Sequence, residues 1–130
     1  MLGEAKIAAF APTTDYERAK SFYVDVLGLS FVSQDQFALV VDSNGITVRI
    51  SKVPGFTPQR FTILGWEVSD IAETVSQLEA KGVTCENYGL PGQDERGVWT
   101  APAVGNSTGS AKVAWFKDPD GNTLSVTQFA

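Results

Sequence analysis

Apolar and polar positions along this chain run through the same rhythm twice. Residues 6–11 (KIAAFA) are a short apolar run, which predicts a strand closed by Pro12. Thr14-Asp15-Tyr16-Glu17 has capping-box spacing, and Tyr16, Ala19, Tyr23 and Val26/Leu27, with Phe22 beside them, recur at helical intervals. Gly28 follows where a left-handed helix cap is expected. Three strands are predicted next, over 30–34, 36–42 and 46–52, with Asp42-Ser43-Asn44-Gly45 as the turn before the last. Residues 53–60 (VPGFTPQR) hold two prolines and a glycine and read as a crossing linker.

The second round starts with a strand over 61–68 (FTILGWEV). Ser69-Asp70 opens a helix whose apolar face is Ile71, Val75 and Leu78, and Gly82 ends it. Strands are predicted near 83–87, 98–103, 111–117 and 123–129. Between them lie a loop over 88–97 with three glycines and a proline, a polar turn over Ser107-Thr108-Gly109-Ser110, and the turn Asp118-Pro119-Asp120-Gly121. The rounds match segment by segment. Ala8-to-Asp15 and Ile63-to-Asp70 are equivalent strand-to-helix starts, offset by 55, and Asp42-x-x-Gly45 and Asp118-x-x-Gly121 are equivalent turns, offset by 76.

The economical architecture is α+β: two βαβββ modules, 1–52 and 61–130, joined by the linker 53–60 in one 130-residue domain. A helix covers one face of each sheet, strand alternation sends every second side chain to the other face, and the sheets curl into a cleft with the helices outside.

Composition narrows the chemistry. Hydrophobic residues make up 43% and charged residues 19%, as in a globular domain. No apolar run approaches the roughly 20 residues of a membrane span. The opening residues lack a basic leader, so no signal peptide is expected, and the one cysteine, Cys85, fits a reducing cytoplasm and reads as a small packing residue. The net charge is −5, with the excess in residues 61–130, which disfavours nucleic acid; an acidic half can attract a cationic ligand, and ordinary solubility charge is the simpler account of it. The chain has no histidine. That removes Ser–His–Asp and Cys–His catalysis together with imidazole-based metal sites.

Asp15 with Arg18, Phe22, Tyr23 and Leu27-Gly28, then Val68-Ser69-Asp70 with Gly82-Val83, then Phe116-Lys117-Asp118-Pro119-Asp120-Gly121-Asn122 together resemble the vicinal oxygen chelate superfamily over nearly the whole chain. That superfamily includes glyoxalase I, extradiol dioxygenases and bleomycin-resistance proteins. The resemblance implies a metal site built from four strand positions. Counting from the fold motifs, these are Ala8, Arg49, Ile63 and Ser125. Only serine is even a weak ligand, arginine repels a cation, and the neighbours Ala9, Val48, Leu64 and Leu124 are no better. No metal or other cofactor is therefore expected.

Alternation from those positions gives the expected lining: Ala8 and Phe10, then Thr47, Arg49 and Ser51, then Ile63, Gly65 and Glu67, then Thr123, Ser125 and Thr127. The resemblance adds Val113 and Trp115. The expected ligand-binding residues are Phe10, Arg49, Glu67, Trp99, Trp115 and Ser125. In metal-free relatives that bind drugs, aromatic side chains stack on flat ligand groups, which favours Trp99 and Trp115. Arg49 suits an anionic or carbonyl oxygen and Glu67 a cation or a base role; the alternative is that the two pair with each other or reach water. Trp66, alternating with Glu67, is expected under the second helix, and loop 88–97 is a candidate lid. The resemblance implies a homodimer binding a small aromatic or cationic molecule. The competing function is an enzyme acting on a small carbonyl or phenolic substrate, with Glu67 as base and Arg49 as electrophile.

Overall fold

A computed structural model describes residues 1–102 and 110–129. Residues 107–109 of the expected polar turn therefore lie outside the described residues. The chain divides into two compact units: Met1–Pro58 with Asp118–Asp120, and Gln59–Lys117 with the residues from Gly121 onward.

Unit 1 holds β1 (Ala8–Thr13), α1 (Tyr16–Lys20) with a π-helical extension over Ser21–Val26, β2 (Ser30–Gln34), β3 (Leu39–Ser43) and β4 (Ile46–Lys52). The sheet order is β1-β4-β3-β2; β1 runs parallel to β4 and the other pairs are antiparallel. One face buries Ala11, Leu39, Val41, Val48 and Ile50, and the helix buries Ala19, Phe22 and Tyr23. Phe22 and Tyr23 meet edge to face, with ring centroids 5.3 Å apart. The β3–β4 turn has positive φ at both Asn44 and Gly45, the backbone a two-residue hairpin needs, and Gly45 N–H donates to Asp42 Oδ2 at 3.1 Å.

Two sequence expectations are corrected here. Pro12 lies inside β1 instead of closing it, because β1 is an edge of this sheet and an edge strand tolerates a residue with no N–H. The helix cap is Asp15, which accepts from the N–H groups of Glu17 and Arg18 at 2.9 and 3.2 Å. Thr14 is drawn away to Asp120, whose Oδ1 accepts from its N–H at 3.0 Å and its hydroxyl at 2.8 Å.

The turn 118–120 completes unit 1. Asp118 Oδ1 accepts from Asp120 N–H at 2.9 Å, and Asp120 also accepts from Thr13 Oγ1 and from Arg18 Nη2 at 2.8 Å. Including this turn moves two acids from the second half of the sequence into unit 1. Unit 1 then carries eight acids and five bases, and unit 2 seven acids and five bases. The acidic excess read from the second half is thus shared between the units, and the argument for a cationic ligand weakens accordingly.

Unit 2 holds β5 (Leu64–Glu67), α2 (Ile71–Ala80), β6 (Trp99–Thr100), β7 (Lys112–Lys117) and β8 (Thr123–Gln128), in the sheet order β5-β8-β7-β6 with β5 parallel to β8. Helix α2 is capped by Asp70, buries Ile71, Val75 and Leu78, and lies against β7 and β8. Ala114, Phe116, Leu124 and Val126 fill the face beneath it, and Trp66, opposite Val126, shares that face.

The strand expected over 83–87 is not formed. Glu86 N–H does reach Trp115 O at 2.8 Å, but the Glu86 carbonyl is taken by Gln93 Nε2 at 3.0 Å, so the ladder does not propagate. Strand β5 starts at Leu64 instead of 61, and β6 is two residues long. Cys85 is buried, and burial first of all pushes its thiol up to about 11.

Candidate functional site

The face of the unit 2 sheet opposite α2 is centred on Ser125. Strand register places Gly65 of β5 on one side of it and Trp115 of β7 on the other. Thr62 Oγ1 donates to Ser125 Oγ at 3.1 Å, and the serine is only 6% exposed. Gly65 makes this arrangement possible: a Cβ there would sit 3.1 Å from Ser125 Oγ, tighter than ordinary contact.

Trp115 is the centre of an aromatic group. Its ring lies 6.1 Å from Trp99, tilted by 36°, and 5.6 Å from Tyr88 in an edge-on arrangement at 62°. Trp99 stands opposite Val113, the neighbour of Trp115 on the same face of β7, and its indole N–H donates to Pro91 O at 2.9 Å. Tyr88 is 47% exposed; burial of the remainder, and then Glu86, holds its phenol above the ordinary tyrosine range.

The loop 88–97 that carries Tyr88 is fastened from within. Gln93 Oε1 accepts from Tyr88 N–H at 2.9 Å, while its Nε2 donates to Glu86 O and Gly97 O at 3.0 and 2.9 Å. Arg96 ties the loop to α2, with Nε 3.0 Å from Glu79 and Nη2 2.8 Å from Ser76 Oγ. At Gly97, where φ is +88°, a Cβ would come within 2.9 Å of Glu86 O.

The remaining expected residues of unit 2 sit at the margin of this face. Glu67 is exposed on β5 opposite Thr127, and Ile63 is half-buried just before β5. In unit 1 the register aligns Phe10 with Arg49, and Arg49 in turn with Val40. Phe10 is 61% exposed and Ala8 lies two residues back on the same face. Arg49 acts on Asp35, whose carboxyl is held below its usual range first by the N–H groups of Phe37 and Ala38 and then by the guanidinium.

The expected site residues thus form two groups. Ala8, Phe10 and Arg49 belong to unit 1; Ile63, Glu67, Trp99, Trp115 and Ser125 belong to unit 2. Sequence reasoning missed two contributors. Thr62 was not singled out, although it precedes Ile63 at the mouth of β5. Tyr88 lies in the loop predicted over 88–97, and an irregular loop has no period to show where its side chains go.

The four positions at which the family resemblance implies metal ligands do not suit a divalent ion. Two are hydrocarbon, one is a guanidinium, and the fourth is a hydroxyl already engaged by Thr62. Among the described residues, no three His, Cys, Asp or Glu side chains group as a metal site.

Comparison with known proteins agrees with this fold. Bacillus subtilis (strain 168) has an uncharacterized protein, YraH, that is 26% identical over 86% of this chain and 88% of its own length. TnmS3, an antibiotic binding protein from Streptomyces sp. CB03234, superposes with a TM-score of 0.71 at 21% identity, covering 100% of this chain and 99% of TnmS3. A superfamily member from Sphaerobacter thermophilus DSM 20745 superposes with a TM-score of 0.70 at 23% identity, covering 99% of this chain and all of that one. The family profile itself matches residues 6–126, so this chain belongs to the Glyoxalase/Bleomycin resistance protein/Dioxygenase superfamily.

Proposed function

We propose that this protein binds a small planar aromatic molecule against the aromatic side chains on the face of the unit 2 sheet opposite α2, and does so without a metal ion. The observation that carries this reading is the group of Tyr88, Trp99 and Trp115 rings on the strand face that also carries Ser125. Large rings lose little conformational freedom when a flat ligand docks on them, so such a face suits stacking. The likeness to an antibiotic binding protein supports a binding role over a catalytic one. The enzymatic alternative draws less support: Glu67, its base, is exposed on β5. Exposed Phe10, Phe31 and Phe37 on unit 1 support pairing of two copies, which light scattering tests.

A thermal-shift screen of planar aromatic compounds, neutral and cationic, tests the reading. Binding stabilises by RT ln(1 + [L]/Kd), about 2.7 kcal/mol at a hundredfold excess over Kd. Hits should lose most of their shift in Trp115→Ala. If every hit keeps its shift in that variant, the site is elsewhere.

A further inference from the structure

Trp115 is half-buried between the Trp99 and Tyr88 rings, and Ser125, opposite it in the strand register, is buried. A molecule that stacks on Trp115 has to move something aside. The loop 88–97 has two parts that are held differently. Its base is tied to the rest of unit 2: Asp94 Oδ1 accepts from the N–H groups of Arg96 and Val98, both at 2.9 Å, Gly97 and Val98 are buried, and Arg96 reaches α2. Its leading part, residues 88–91 (YGLP), is exposed throughout and belongs to no strand or helix. A short exposed segment of this kind is where local opening costs least.

The Gln93 side chain joins the two parts. Its Oε1 accepts from Tyr88 N–H at 2.9 Å and Leu90 N–H at 3.4 Å, and its Nε2 donates to Glu86 O at 3.0 Å and Gly97 O at 2.9 Å. All four hydrogen-bonding positions of the amide are used, and every partner is backbone. The leading part is otherwise held by Gln93 N–H donating to Leu90 O at 3.0 Å, by the Trp99 indole at Pro91 O, and by the Tyr88 ring on Trp115.

We propose that residues 88–91 are a gate over the aromatic site and that Gln93 is the positioning residue that holds it shut. This rests on the aromatic-binding reading above and adds to it how the ligand enters and leaves. Release of Tyr88 and Leu90 from the Gln93 amide lets the Tyr88 ring swing off Trp115 while the base stays on α2. The clasp is made entirely within the chain, so it closes equally well over an empty site and an occupied one. Weakening it raises the entry and exit rates by the same factor and leaves Kd unmoved.

Stopped flow with 2-nitronaphthalene, a flat neutral probe whose nitro group quenches indole emission, reads both rates. In Gln93→Met both should rise about tenfold, with Kd within about twofold of the natural chain. Tyr23→Phe, which loosens unit 1 and not this loop, should leave both rates unchanged, so general loss of stability does not mimic the effect. Should Gln93→Met fail to fold, Gly89→Ala carries the same test: at a φ of +66° the added carbon strains the closed shape while meeting no neighbour within 4 Å, and both rates should rise about fivefold.

If both rates keep their natural values, or if the exit rate alone rises and Kd with it, the gate is overturned while the aromatic site stands. If 2-nitronaphthalene does not quench the natural chain, both readings fall together.

Discussion

The Tyr23 hydroxyl donates to Asp118 Oδ2 at 2.6 Å, joining two buried side chains 95 residues apart in sequence. The π-helical extension helps aim it: Leu27 N–H reaches back five residues to Phe22 O, widening the turn that carries Tyr23. Removing the phenol oxygen leaves a buried carboxylate short of a donor, so Tyr23→Phe should destabilise by about 1–3 kcal/mol in urea unfolding.

The same bond sets an alkaline limit. Burial first, and then the charge and hydrogen bond of Asp118, hold the Tyr23 phenol far above its ordinary value of 10.0. Above about pH 10 the unfolded chain releases this proton and the folded chain keeps it, so the unfolded state binds fewer protons and stability falls as pH rises. Urea midpoints between pH 9 and 11 should drop in the natural chain, and less steeply in Tyr23→Phe.

Asp120 sets the opposite limit. Burial acts to raise its carboxyl, but donors from Thr13, Thr14 and Arg18 outweigh it and hold the group below its ordinary 3.8. Its contribution is present above that value and is lost as pH falls through the lower folded value. Asp120→Ala should cost about 3 kcal/mol at pH 7 and flatten the acid limb of the stability curve.

Gly97→Ala and Gly28→Ala form a matched pair. Both positions have positive φ, +88° and +81°, and both lose about 1 kcal/mol to backbone strain. At Gly28 the space is open, whereas at Gly97 the added carbon meets Glu86 O at 2.9 Å and Cys85 Cβ at 3.0 Å. Gly97→Ala should therefore lower Tm clearly more than Gly28→Ala, and only Gly97→Ala should alter the near-ultraviolet signal of the tryptophans.

Protein dialysed against zinc, nickel, manganese or iron(II) and then desalted should retain none of them stoichiometrically, and EDTA should leave Tm unmoved. Elemental analysis checks the first outcome and a melting curve the second. Tight uptake at one equivalent would mean that ligands other than Ala8, Arg49, Ile63 and Ser125 had been overlooked.

Local pattern carried much of the fold. Asp118-Pro119-Asp120-Gly121 marks a turn by residue type alone, and Trp115, which the family resemblance points to the same face as Ser125, stands opposite it in the strand register. What pattern could not supply came from side chains reaching across sequence distance. Asp120 takes Thr14 out of the helix cap from 106 residues away. Gln93 bonds to the backbone at Glu86, Tyr88 and Gly97, so the irregular backbone of the loop that carries Tyr88 extends back into the strand expected over 83–87. The charge argument weakens for the same reason, since Asp118 and Asp120 belong to the second half in sequence but complete unit 1.

The return of the chain at Asp118–Asp120 also constrains how the protein can be made. A ribosome that has released only the first 58 residues presents Tyr23, Thr14 and Arg18 without the carboxylates they bind. Vectorial synthesis, in which an early segment folds while the next is translated, cannot finish unit 1 until residue 120 has emerged. Closing so long a loop is slow, though it adds only modestly to the entropy cost. A gene cut at the Pro58–Gln59 junction yields two fragments that each lack something: the first loses its last turn, and the second carries that turn with nothing to receive it.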